Sequence, residues 1–170
     1  MLRSHTCGQL RSSDIGQQVK LCGWVDTTRD YGGMIFIDLR DRYGKTQVVV
    51  TPDSGEENLE IAKRLRGEDV VLFEGTVASR LEGKDNEKLV TGGIEVRASK
   101  VSLLNRSKTP PFFPDQDELP GEDLRLRYRY IDLRRQQMQQ TLVLRSQIIK
   151  AMRDYFAEHD FIDVETPILG

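Results

Sequence analysis

Between Gln18 and Leu104 the chain carries five short stretches rich in β-branched and aromatic residues, interrupted once by residues at helical spacing. The stretches are Val19 to Val25, Met34 to Arg40, Lys45 to Val50, Val70 to Val77, and Ile94 to Leu104 with a bend expected near Ser99. Successive side chains on a strand point to opposite faces, so apolar–polar alternation marks a sheet with one dry side. After the third stretch, Leu59, Ala62 and Leu65 recur at helical spacing until Gly67. Ser54 and Glu57 just before them fit a capping box, in which two side chains satisfy free amides at a helix start. Three strands, a helix and two strands is an order few small folds can use.

It is the order of an OB-fold, a five-stranded Greek-key barrel whose strand 2 and 3 face binds oligonucleotides or oligosaccharides. Short strands with turn signals also suit an SH3-like barrel or a small sandwich. The expected class is therefore mainly β, with one helix. In Met34 to Arg40, Ile35, Ile37 and Leu39 share one face while Phe36, Asp38 and Arg40 share the other, which places a large ring on the wet side. In the next strand Thr46, Val48 and Val50 fall together, opposite Lys45 and Gln47. An exposed ring beside an amide suits unstacked bases, which stack on aromatics and are read at their edges by amides. Arg29, Arg40 and Arg42 could supply phosphate contacts. The plainer alternative has Phe36 packed under a loop and Gln47 merely solvated, and Trp24 reads as a core or rim residue.

Composition narrows the partner classes. Of 170 residues, 38% are hydrophobic and 31% charged, and the net charge is -2, which argues against a simple polyanion sponge and for a local, shaped site. No apolar run approaches the ~20 residues that span a bilayer, and the N-terminus lacks the apolar core of a signal peptide, so the expected compartment is the cytoplasm with no membrane partner. Cys7, Cys22, His5 and His159 make no metal-ligand spacing, so reduced structural thiols and no metal are expected.

Residues 107–120, "SKTPPFFPDQDELP", hold four prolines and read as a linker, with Phe112 and Phe113 pinning it to one domain. From Gly121 the pattern turns helical, and from Gln136 to Glu158 Met138, Leu142, Ile149, Met152 and Phe156 recur on one face that Leu144, Ile148, Ala151 and Tyr155 widen. A short strand, "FIDVETPIL", is expected after it. One helix and one strand cannot close a core, so another chain or further sequence is expected to cover them. The organisation read from this is 1–106 barrel, 107–120 linker and 121–170 start of a second domain.

The stretch "GQLRSSDIGQQVKLCGWVDTTRDYGGMIFIDLRDRYGKTQVVV" closely resembles the N-terminal anticodon-binding barrel of bacterial-type aspartyl-tRNA synthetases, and the likeness continues through "GTVASR", "GGIEVRASKVSLLNRS", "RLRYRYIDLRR" and "HDFIDVETPIL". Lysyl and asparaginyl enzymes share part of the pattern. The resemblance implies that Phe36 stacks on an anticodon base, that Gln47 reads the central uridine, that Arg29 lies near the anticodon loop, and that Arg80 and Glu95 read the remaining bases. It implies that Tyr31 sits where the family decides between aspartate tRNA alone and asparagine tRNA as well. It also implies that the last helix and strand are motif 1 of the class II α+β catalytic domain, with Ile149, Met152, Phe156 and Pro167 in a homodimer interface. The family's ATP and Mg²⁺ site lies beyond this motif, so no catalytic residue, cofactor or metal ligand is expected in this chain. The implied partner is the anticodon loop of aspartate tRNA. A stand-alone OB-fold single-strand binder or a non-catalytic paralogue of such a synthetase is the competing expectation.

Overall fold

The computed structural model describes residues 2–80, 85–116 and 118–167. Two compact units, Met1–Pro110 and Pro111–Gly170, divide the chain. In the first, strands β1 (Gln18–Tyr31), β2 (Met34–Asp41), β3 (Gly44–Val50), β4 (Val70–Ser79) and β5 (Ile94–Asn105) close into a barrel in the order β1-β2-β3-β5-β4. Helix α1 (Glu56–Lys63) lies between β3 and β4 in the chain. All pairs are antiparallel except β3 with β5. Closure leaves no open sheet edge, which removes the template for unwanted pairing.

The alternation read from the sequence is the alternation observed. Ile35, Ile37, Leu39, Val48 and Val50 are buried with Val19, Leu21, Val71, Phe73 and Val96, and Ala62 and Leu65 bring α1 against this core. β1 is longer than the expected Val19 to Val25, because its first half pairs with β4 and its second half, from Trp24 onward and through a bulge between Val25 and Thr27, pairs with β2. Residues 27–31 are exposed, so no apolar period announced them. Gly32 and Gly33, with φ of 62° and 90°, form the two-residue β1–β2 turn that a type I′ geometry requires. The bend expected near Ser99 is a β4–β5 register shift beside Gly75, where a Cβ would lie 2.3 Å from the Arg97 carbonyl oxygen. Only glycine lets β4 approach β5 so closely.

Three local expectations need correction. Ser54 does not cap α1. Its hydroxyl donates to Ala98 O at 2.6 Å and accepts from Thr51 N, and Gly55 precedes the helix. Arg40 is buried rather than offered to phosphate, because Asp26 and Glu68 both bind its guanidinium. Lys45 reaches Asp26 as well, at 2.7 Å. Finally, residues 161–167 form no strand, and Ile168 and Leu169 lie outside the described residues.

The second unit contains α2 (Glu122–Arg127), α3 (Arg129–Asp132) and α4 (Gln136–Glu158). Asp132 is fully buried and bound by Arg129, by Arg135 at 3.1 Å and by Arg125 at 3.9 Å, which accounts for much of the "RLRYRYIDLRR" run. A buried charge of this kind persists only with partners. Phe112 is buried and Phe113 exposed. α4 has no buried residue along its length.

Candidate nucleic-acid interface

Outside the barrel core, alternation on β1, β2, β3 and β5 builds two parallel rows across the sheet. The first runs Arg29, Phe36, Val49, Arg97, each paired by register with the next. The second runs Thr27, Asp38, Gln47 and then Glu95, the last step made by a side-chain hydrogen bond. Phe36 is half-buried, outside the core cluster, with Tyr31 edge-on at a ring separation of 5.8 Å. Tyr31 is 63% exposed, so the pair forms an aromatic step open to solvent at the β1–β2 turn.

The second row is polar and connected. Asp38 accepts from Thr27 Oγ1 at 2.7 Å and holds Arg29 through both carboxylate oxygens, at 3.0 and 2.9 Å. Gln47 is nearly buried and its Nε2 donates to Glu95 Oε2 at 3.2 Å. Arg97 Nε donates to the other oxygen of Glu95 at 3.4 Å. Arg80, just past the end of β4, turns its Nε to Ile94 O at 3.0 Å, while its buried Nη2 has no hydrogen-bond partner. A buried guanidinium donor left open in this way is costly unless something fills it.

Of the sequence-derived residues, Arg29, Phe36, Gln47 and Glu95 thus share one outer face, and Arg80 lies at the β4 end beside Ile94, the residue that precedes Glu95. The sequence reading missed Arg97 and Asp38. Arg97 stands two residues from Glu95 on the same strand, so period-2 counting could have found it. Asp38 was placed on the outer face but given no role.

Burial first, and then the Asp41 carboxylate, push the Cys7 thiol well up from its ordinary value, and burial raises Cys22 too, so neither behaves as a ready thiolate. Among the described residues no group of three or more His, Cys, Asp or Glu converges as metal ligands. No described helix is long and apolar enough to cross a membrane. On α4, Ile149, Met152 and Phe156 line an exposed apolar groove with Phe161 and Ile162, and Pro167, also exposed, is not part of it.

Comparison with known proteins follows the same division. The family described as OB-fold nucleic acid binding domain matches residues 19–104, and that described as tRNA synthetases class II (D, K and N) matches residues 121–170. An aspartate–tRNA(Asp/Asn) ligase of Rhodopirellula baltica is 64% identical over 100% of this chain and 29% of its own length. One of Thermotoga maritima is 52% identical over 99% of this chain and 28% of its own. The crystal structure of asparaginyl-tRNA synthetase from Pyrococcus horikoshii complexed with asparaginyl-adenylate has a TM-score of 0.83 at 30% identity, covering 99% of this chain and 37% of that one. The chain thus spans less than a third of the length of these two ligases.

Proposed function

This chain belongs to the anticodon-type family of OB-fold nucleic-acid-binding domains, and from that membership we propose that its outer barrel face reads the anticodon loop of an aspartate tRNA. In this reading the chain is the N-terminal portion of an aspartate–tRNA ligase, a cytoplasmic enzyme that joins aspartate to tRNA at the expense of ATP with Mg²⁺. We place the ATP chemistry of such a ligase in its other parts. The observation that carries the proposal is the pairing of a stacking row with a polar row: Phe36 sits two residues along β2 from Asp38, which pairs with Gln47 in the row that Glu95 completes.

Each part has a physical task. Phe36 stacks on an unpaired base, with Tyr31 edge-on behind it, a contact that contributes about 1–3 kcal/mol per base. Gln47 meets the edge of the central base, and Arg80 uses its open Nη2 on a neighbouring base or phosphate. Arg29, held by Asp38, keeps a positive group at the rim without flexing freely. The relatives' names join aspartate and asparagine tRNAs, whose anticodons share a central uridine, and we extend the reading to both. The exposed groove of α4, with Ile149, Met152 and Phe156, is assigned together with the exposed Pro167 to a homodimer contact of the whole ligase.

Fluorescence anisotropy with an aspartate-tRNA anticodon stem-loop, against the same hairpin with its central uridine changed to cytidine at fixed salt, tests the proposal. Preference for uridine supports it. Equal affinity sinks it and leaves a sequence-tolerant OB-fold binder, whose affinity follows salt and strand length. Sedimentation of the chain over rising concentration tests the groove: a chain that remains monomeric throughout removes self-association through α4.

A further inference from the structure

Glu95 poses an electrostatic problem. It is 7% exposed on a face proposed to meet a polyanion, where an uncompensated carboxylate would repel the ligand and pay a desolvation cost. Its two oxygens are divided between two donors: Gln47 Nε2 takes Oε2, and Arg97 Nε takes Oε1. Arg97 is itself 61% exposed and shares the row of Phe36 through Val49, so it lies on the ligand side of the sheet.

The chemistry of this trio also fixes an orientation. A carboxylate paired with a guanidinium presents only acceptors, so the Gln47 amide must turn its NH₂ toward Glu95. The amide carbonyl oxygen then points away from Glu95. A base whose edge carries an N–H meets that oxygen favourably, as uridine does at N3. Cytidine offers a lone pair at N3 and carries its donor at N4 instead, so a carbonyl oxygen aimed at N3 meets another acceptor. If Glu95 loses its clamp, the carboxylate swings away and the amide is free to turn over, presenting either end.

We propose that Arg97 is a positioning residue for base recognition: by holding Glu95 it locks the Gln47 amide in the orientation that accepts a hydrogen bond from the base. This rests on the reading of the barrel as an anticodon binder. Arg97 does not touch the base edge in this arrangement. Its effect passes through Glu95 and Gln47, which separates it from a simple phosphate contact.

The test is a set of anisotropy titrations on the uridine and cytidine hairpins with wild-type chain, Arg97→Ala, Arg97→Lys, Glu95→Gln and the Arg97→Ala/Glu95→Gln double variant. The uridine-to-cytidine affinity ratio is expected to fall about tenfold in Arg97→Ala, the scale of one good contact to a base edge. It should fall no further in the double variant, because the two residues act in one chain. Arg97→Lys keeps the charge but loses the planar fork, so it should restore the salt dependence of binding more fully than the ratio. Arg97→Ala leaves the nearly buried Glu95 carboxylate short of a donor, so its thermal midpoint is expected to fall while the double variant, which removes that charge, falls less, and the affinity ratio rather than the midpoint carries the test. An Arg97→Ala chain that loses affinity equally for both hairpins, or keeps the wild-type ratio, overturns the inference. A wild-type chain with no preference instead overturns the anticodon reading beneath it.

Discussion

The barrel and α4 carry similar apolar side chains to opposite ends. In the barrel, Ile37, Leu39, Val48 and Phe73 have no exposed surface, whereas on α4 Leu142, Ile149, Met152 and Phe156 are each at least 40% exposed. A closed sheet satisfies its backbone through its neighbours and encloses its own core in one step. A helix satisfies its backbone alone, but its apolar stripe still needs a second surface. Hydrophobic patterning therefore states what must be covered, while topology decides whether the same chain can cover it.

This contrast can be broken by substitution. The largest effect is expected from Phe73→Ala, where loss of a fully buried ring should destabilise the barrel by about 3–5 kcal/mol in denaturant unfolding. Close behind comes Arg40→Ala, which strips the guanidinium from the carboxylates of the buried Glu68 and the largely buried Asp26 and should cost about 3 kcal/mol. A loss below about 1 kcal/mol would mean those carboxylates find other partners or water. Phe36→Ala sharpens the division within the barrel itself. It should weaken stem-loop binding by about 1–3 kcal/mol while the thermal midpoint stays near that of the unaltered chain. A steep fall in the midpoint would make Phe36 a core residue. The smallest effect belongs to α4: Ile149→Ala in a dilute, monomeric sample should change stability by less than about 0.5 kcal/mol, as surface substitutions do. A loss comparable to that of Phe73→Ala would show that the stripe is already covered.

What the sequence made legible follows from the range of the signals involved. The strand order, the inward set Ile35, Ile37 and Leu39, and the outward Phe36 came from period-2 alternation, which is local. Arg40 was misread because its partner Glu68 is 28 residues away in the chain, on the loop before β4. Ser54 was read as a cap from spacing, but the Ala98 carbonyl on β5 competes for the same hydroxyl. The second half of β1 was missed because a ribbon exposed on both faces leaves no hydrophobic period. The strand expected in "FIDVETPIL" has no partner among the described residues, and a strand without a partner has nowhere to place its hydrogen bonds. At the site, Gln47 came from strand alternation and Glu95 from the family resemblance, and period-2 counting from Glu95 reaches Arg97, but the bonds that join the three needed the three-dimensional register of β3 beside β5.

The central claim is that the ligand surface is the outer face of β1, β2, β3 and β5. Two-dimensional amide NMR of the chain, titrated with the uridine-containing anticodon stem-loop, tests it most directly. The account predicts shifts concentrated at Arg29, Tyr31, Phe36, Gln47, Glu95 and Arg97, with the amides of residues 136–158 unmoved. Shifts centred on α4, or on the Lys20 and Glu74 side of the barrel, would contradict it.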